Sequence, residues 1–210
     1  MAAFSDFYPR IRLRCKGVVD ETINIALLWA AREFCLKTWL FQETLEVQEI
    51  AGEPYYELIS LVPTQAEVIG VKAVERDGRP LLPCAPEYIR QEEGEPRSWV
   101  FEVPNVLALT PFPKAASNEE DLLILKVRVA LQPKLSASFM PDEIARRYSE
   151  AISEGAIEFL SGTPGELWTN PDTEAKSRDR FHESIRHAKS DELFSLNPWG
   201  TKIALEPWNI

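Results

Sequence analysis

The chain has 210 residues, of which 45% are hydrophobic and 10% aromatic, and 33 Asp and Glu against 23 Lys and Arg give it a net charge of −10. The aromatic content excludes a disordered acidic segment, because such segments are poor in large apolar side chains. The negative charge argues against a general nucleic-acid-binding protein, since affinity for duplexes rests mostly on Lys and Arg neutralising phosphate.

The three cysteines, Cys15, Cys35 and Cys84, are odd in number and widely spaced. That pattern lacks a disulfide framework and indicates a reducing compartment. The N-terminus has no apolar segment after a basic start, so we expect no secretory signal. The longest apolar stretch, residues 25–31, is far shorter than the ~20 residues that span a bilayer. We therefore expect a soluble protein made in the cytoplasm.

The first zone of the chain is predicted to begin with a short extended piece, residues 11–13, and to continue with a helix over residues 21–42, whose apolar side chains recur at helical spacing. Asp20 precedes it and is predicted to cap its free backbone N–H groups. The apolar stripe is wide, so we expect the helix to be buried on more than one side.

The next region, residues 45–135, alternates apolar and polar side chains in short runs. Asp77-Gly78 is typical of a tight hairpin turn, because Gly tolerates positive φ. Residues 121–131 form the clearest predicted strand, with alternate side chains on one face. Six or seven such strands predict an antiparallel sandwich or barrel.

Two helices follow the strands. Pro141 and the acids after it predict a helix start, and Gly162 predicts its end. Asn170 predicts the cap of a second helix over residues 171 to about 192. Its few apolar residues predict an exposed rim or a contact with another subunit; they are Ala175, Phe181, Ile185 and Ala188.

The sequence thus predicts an α+β protein. We expect a helical bundle with an inserted antiparallel β-sandwich or barrel-like domain and an extended C-terminal tail. The predicted parts are an N-terminal arm with the first helix (1–44), the inserted β domain (45–135), the C-terminal helices (136–193) and the tail (194–210).

Catalytic patterns are weak throughout. His182 and His187 are five residues apart, whereas two zinc ligands on one helix face are four apart, so we expect no metal site. The acidic cluster of Glu92, Glu93 and Glu95 is typical of a solvated loop, and no cysteine has a nucleophile's local signature. We expect no enzymatic activity and no cofactor.

The tail carries large apolar side chains, each of which contributes roughly 1.5–3 kcal/mol when buried. Either the tail wraps back on its own domain or it docks on another protein, and the residues alone leave both open. The side chains concerned are Phe194, Leu196, Trp199, Ile203, Leu205, Trp208 and Ile210.

The predicted first helix contains the segment AAREFCLKTW, and FQETL follows it into the β region. These segments, with the motifs described above and in the same order along the chain, resemble the first-helix signature and later motifs of bacteriophage head–tail adaptor (connector) proteins of the tail-tubular-protein-A-like type. The resemblance covers most of the chain but weakens over residues 1–19 and the last seventeen residues. The matching segments are residues 30–39, 41–45, 76–81, 141–160 and 164–171.

This resemblance implies a structural virion protein at the head–tail interface, assembled in the host bacterial cytoplasm. It implies a homo-oligomeric ring, typically of twelve copies, beneath the portal protein. The ring would extend the DNA channel, pass DNA during ejection without sequence-specific binding, and dock the tail nozzle or tail tube protein.

The resemblance also implies roles for the last helix and the tail. The seven apolar tail residues would bind the portal, and the charged helix would lie between subunits. The implied subunit-interface residues are Arg178, Phe181, Ile185 and Arg186. An excess of carboxylates along the channel would repel DNA and let it slide.

Two alternatives stay open. One is a protein- or glycan-binding module of a virion or cell surface, in which Tyr55, Tyr56 and Trp99 would line the site. The other is an enzyme whose site has no recognisable motif.

Overall fold

A computed structural model describes residues 2–50, 52–58, 65–89, 92–102, 105–114 and 123–195, with only the backbone at 143 and 192–195. It is a mixed α+β structure. Short 3-10 helices cover Phe4–Phe7 and Pro86–Tyr88. The helices are α1 Tyr8–Arg14, α2 Asp20–Thr38, α3 Asp142–Ser161 and α4 Pro171–Ser195. The strands are β1 Ala2–Ala3, β2 Gln42–Gln48, β3 Tyr55–Glu57, β4 Ala66–Arg76, β5 Arg79–Pro83, β6 Glu93–Gly94, β7 Ser98–Glu102, β8 Val106–Thr110, β9 Phe112–Pro113, β10 Ile124–Pro133 and β11 Phe139–Met140.

The extended piece predicted over residues 11–13 is wrong, because these residues lie in α1. The long helix predicted after it is confirmed, but its ends differ from the prediction. Asp20 lies inside α2 and its carboxylate pairs with Arg12 of α1, while the cap position is Val19, which makes no side-chain cap hydrogen bond. The helix stops at Thr38 because Trp39 adopts the left-handed conformation, with φ 55°. The side-chain amide of Gln42 donates to the Trp39 carbonyl at 2.7 Å and stabilises this exit.

Seven strands form one curled sheet in the order β2-β10-β4-β5-β7-β8-β3. All neighbours are antiparallel except β5 and β7, which are parallel, so the chain returns between them to the end of the sheet at which β5 begins. Near the two edge strands, the Tyr56 hydroxyl of β3 donates to the Ile50 carbonyl at 3.3 Å and accepts from the Ile50 N–H at 3.2 Å. The sheet is therefore a half-barrel rather than two packed sheets.

The strongest strand predictions are confirmed in β10 and at the hairpin. Leu125, Val127 and Val129 are fully buried on one face of β10. Asp77 and Gly78 join β4 to β5 with φ values of 48° and 72°, as a tight hairpin turn requires. The inner face of the sheet collects buried side chains from all seven strands into one apolar cluster.

The helices meet around Gly155. A Cβ atom at Gly155 of α3 would lie 3.0 Å from the Cβ of Ala30 in α2 and 3.0 Å from the ring of Phe181 in α4. The missing side chain lets three helices approach closely at one point. We call α1–α4 the helix group; an apolar cluster separate from that of the sheet lies within it.

Helix α4 contributes more to this core than its sequence predicts. The side-chain oxygen of Asn170 accepts the Thr173 N–H at 3.0 Å, which confirms the predicted cap. Phe181, Ile185 and Ala188 are 1%, 4% and 0% exposed. Their i, i+4, i+7 spacing places them on one face, so even a charged helix buries a full apolar stripe.

The helix group and the sheet are joined at the end of α2. The Trp39 ring covers Gly70 of β4 so closely that a Cβ there would lie 2.5 Å from it. A guanidinium nitrogen of Arg32 lies 2.9 Å from the Glu67 carboxylate of β4, and the Gln132 amide donates to the same carboxylate at 2.6 Å. These contacts position α2 over β4 and β10.

We predict that Gly155→Val destabilises the fold by about 1–3 kcal/mol, because overpacking a filled core forces neighbouring groups apart. Chemical denaturation measures the change. Ser149→Val is the matched control: it adds the same side chain to the same helix at an exposed position. Equal stability of the two variants would show that the helices do not meet at Gly155.

Candidate functional site: the exposed surfaces

The outer side of α2 carries three large apolar side chains in solvent. Ile25, Trp29 and Leu36 are 51%, 52% and 55% exposed. At about 100° per residue they lie within roughly 40° of one another, so they form a line along the helix. We call these three residues the outer stripe. The helix is otherwise covered on more than one side, as expected: α3 and α4 pack against it, and so does β10, but none of them covers the outer stripe.

The inner side of the helix group contains a buried carboxylate held by two arginines. Glu154 of α3 has a side chain only 2% exposed, and Arg14 of α1 and Arg180 of α4 reach its two oxygens at 3.1 and 3.4 Å. A buried carboxylate is costly unless it is paired. Since both of its oxygens are engaged, this cluster ties three helices together, and sequence alone did not reveal it.

The four predicted subunit-interface residues divide into two pairs. Phe181 and Ile185 lie in the chain's own core, so their assignment to a subunit interface is corrected: the spacing that puts them on one face turns that face inward. Arg178 and Arg186 lie on the exposed side of α4. Arg178 pairs within the chain with Glu158, at 3.1 Å, and with Glu174.

A cleft opens on the sheet beside the β4–β5 hairpin. It consists of two cavities of about 430 and 540 Å³ that share Glu95 and Arg97 as lining residues. Arg79 lines the first cavity and Tyr88, which is 68% exposed, lines the second. Arg97 and Tyr88 belong to no recognisable motif, so the sequence alone does not identify them as cleft residues.

Charge pairing fixes one wall of this cleft. Arg76 binds both oxygens of Glu49, at 2.6 and 2.9 Å, and lies 3.5 Å from Glu95. The pairing with Glu49 raises the pKa of Arg76 above its ordinary value. Of the acidic cluster seen in the sequence, Glu95 is thus an ion-pair partner, while Glu92 and Glu93 are exposed.

The aromatic residues proposed for a glycan site are mostly interior. Tyr56 and Trp99 are 5% and 6% exposed, and the Trp99 indole N–H donates to the Leu81 carbonyl at 3.2 Å. Tyr55, at 47%, is the exposed member of the three. Because strand side chains alternate between faces, adjacent tyrosines point to opposite sides of β3 and do not line one surface.

The histidines and cysteines do not form a reactive constellation among the described side chains. His187 lies 3.8 Å from Glu183 on the same exposed helix side, and within the described ranges no three His, Cys, Asp or Glu are placed to hold a metal ion. Burial raises the pKa of Cys35 to about 12 and raises that of Cys84.

The predicted portal-binding residues fall at and beyond the end of α4. Phe194 is in the last helical turn, described by its backbone, and Leu196, Trp199, Ile203, Leu205, Trp208 and Ile210 lie outside the described residues. In the described part of the chain, no helix is both long and apolar enough to cross a membrane.

No protein-family model matches the chain, and a search of curated proteins finds no match.

We predict that Arg14→Met lowers the free energy of unfolding by about 1–3 kcal/mol, because it leaves one oxygen of a buried carboxylate without its charged partner. Arg180→Met should cost less, since that arginine is more exposed and more distant. Arg147→Met, at an exposed site on α3, is the control and should change stability by no more than about 0.5 kcal/mol. Denaturant titration of the three variants tests this order; identical stabilities would contradict it.

We predict that a disulfide reagent at about pH 8 labels Cys84 slowly in the folded chain and leaves Cys15 and Cys35 unlabelled. The thiolate is the reactive form, and a raised pKa keeps the thiol protonated. Mass spectrometry locates the label. Cys84→Ser removes the reactive site, and rapid labelling of that variant without denaturant would contradict the burial of the other two cysteines.

Proposed function

We propose that the chain is a bacteriophage head–tail adaptor: a structural virion protein that forms a ring beneath the portal, extends the DNA channel and docks the tail. The observation that carries the proposal is the arrangement of the chain. Helices from its two ends pack as one group around Gly155, and the curled sheet is inserted between α2 and α3. The same order of helix, β region, helix and charged helix defines the resemblance.

The exposed apolar residues are compatible with a ring. A ring built from one kind of subunit needs two different complementary surfaces on each copy. Large apolar side chains are exposed at separate places, including Trp29 on α2, Leu167 (96%) between α3 and α4, and Leu82 (69%) beside the cleft. These positions belong to the helix group and to the sheet, so both halves of the chain can contact other proteins.

Within this proposal each part has a role. Arg178 and Arg186, on the exposed side of α4, contribute to the contact between neighbouring copies, and Phe181 and Ile185 hold that helix in position. The tail residues bind the portal, and the sheet with its cleft faces the tail nozzle or tail tube protein. The acidic chain would line a channel through which DNA passes in the virion.

The cleft supports a second function, that of a protein-binding module on a virion or cell surface. Its exposed Tyr88, Leu82 and Arg97 combine apolar surface with a guanidinium, and Tyr and Arg are enriched among residues that dominate interfaces. A particle-size measurement separates the two: an adaptor forms a ring, alone or on the portal, whereas a module of this kind remains a single chain.

The test is electron microscopy of the protein mixed with purified capsid vertices. The adaptor role predicts a ring of density on the portal with the symmetry of repeated copies. Vertices that stay bare at saturating protein concentration would refute it. A chain that stays a monomer and leaves the vertices bare would favour the protein-binding module.

We predict that truncation after Leu193 weakens portal binding more than about tenfold, because several side chains worth roughly 1.5–3 kcal/mol each are lost from the contact. Binding is measured on immobilised portal, and circular dichroism checks that the shortened chain is folded. Leu135→Ala, which changes an exposed apolar residue that has no part in the proposed contacts, is the control. Unchanged affinity of the truncated chain would rule out the tail as the portal contact.

A further inference from the structure

The size of the outer stripe decides what can cover it. Ile25, Trp29 and Leu36 are each about half exposed, and together they offer roughly 250–300 Å², given that a whole large aromatic residue buries about 150–250 Å². A stable interface between two folded proteins buries about 800 Å² on each partner. The stripe is therefore too small for that, and it fits a short segment that presents a few apolar anchors.

The packing of the helices shows where such a segment begins. Contacts of Arg178 with Glu158 and of Phe181 with Gly155 make α4 antiparallel to α3. Ala30 meets the same Gly155, and the Phe34 ring lies 4.9 Å from that of Tyr148. Helix α2 is therefore also antiparallel to α3.

It follows that α2 and α4 run in the same direction along α3. Since Phe181 is level with Ala30, the end of α4 at Ser195 lies towards the end of α2 that carries Leu36. The chain therefore leaves the helix group at the end where Leu36, the last residue of the outer stripe, lies.

The fifteen residues after Ser195 are long enough to cover the stripe. Fifteen residues span at most roughly 50 Å when extended. The end of α4 at Ser195 lies about 12 Å beyond the level of Leu36, the stripe extends over roughly 16 Å, and passing around a helix adds about 10–12 Å, so the whole path is about 40 Å long. The segment also contains Trp199, Ile203 and Trp208, which are large apolar side chains of the kind that can pack against the stripe.

We propose that residues 196–210 lie along the outer stripe of their own chain whenever no other protein holds them. The exposed face of α2 is then an intramolecular docking site for the tail, with Trp29 at its centre. This binding surface is independent of the adaptor role, because it concerns the isolated chain.

The first experiment separates the tail from its site. A chain ending at Ser195 is titrated with the synthetic peptide 196–210 by isothermal calorimetry, and one peptide should bind per chain. Trp29→Ala should weaken binding by about tenfold or more, because it removes the central anchor. Leu36→Glu, a second surface change, should do the same. Leu167→Ala is the matched control and should bind like the parent.

The second experiment asks whose tail occupies the site. A tethered tail has an effective concentration in the millimolar range. The intact chain should therefore fail to bind the added peptide 196–210, and this failure should not depend on the protein concentration. If the intact chain begins to bind the peptide when the protein is diluted, the tail of a neighbouring copy occupies the stripe, and the proposal is overturned. Failure of the shortened chain to bind, or equal binding by the Trp29→Ala variant, would overturn it too. No portal is present, so these results leave the adaptor test untouched.

Discussion

The close approach of three helices at Gly155 is the contact on which the helix group depends. Glycine inside a helix costs roughly 0.5–1 kcal/mol relative to alanine. That cost is offset because Phe181 and Ala30 pack where a side chain would stand. Because Phe181 of α4 packs beside Gly155 of α3, the neighbouring Arg180 reaches Glu154. At the same place α3 and α4 cover the inner face of α2. The same packing turns the opposite face of α2, with Trp29, towards solvent.

The sheet is inserted into this group without loosening it, because both ends of the insertion are anchored. At its start, Trp39 covers Gly70 and the Phe41 carbonyl accepts the Leu131 N–H at 2.8 Å. At its end, β11 pairs with β1 at the N-terminus of the chain, Met140 facing Ala2. The cleft and the outer stripe therefore belong to parts that are connected by more than the polypeptide chain.

Local patterns in the sequence predicted the features that depend on neighbouring residues. The alternation in β10, the turn at Asp77-Gly78 and the cap at Asn170 each rest on a few consecutive side chains, and all three are confirmed. Features that depend on distant parts of the chain were missed. The burial of Phe181 needs Gly155, and the parallel pairing of β5 with β7 needs the chain to return to the same end of the sheet between them. Neither requirement leaves a periodic signal in the sequence. The outer stripe was missed for the same reason: helical spacing shows which residues share a face, but the neighbours decide which face is covered.

The carboxylate of Glu154 has a consequence for the order in which the molecule is completed. One of its arginines, Arg14, is synthesised 140 residues before it, and the other, Arg180, follows it by 26. While the chain is still being made, α1 and α3 can come together, but this interior charge then has only half of its partners. The helix group reaches its final form only after α4 has left the ribosome. A chain that is cut short before α4 therefore lacks Arg180 and leaves the side of α3 that α4 covers open to water, so we expect it to unfold locally, and to be cleaved, more readily than the full chain.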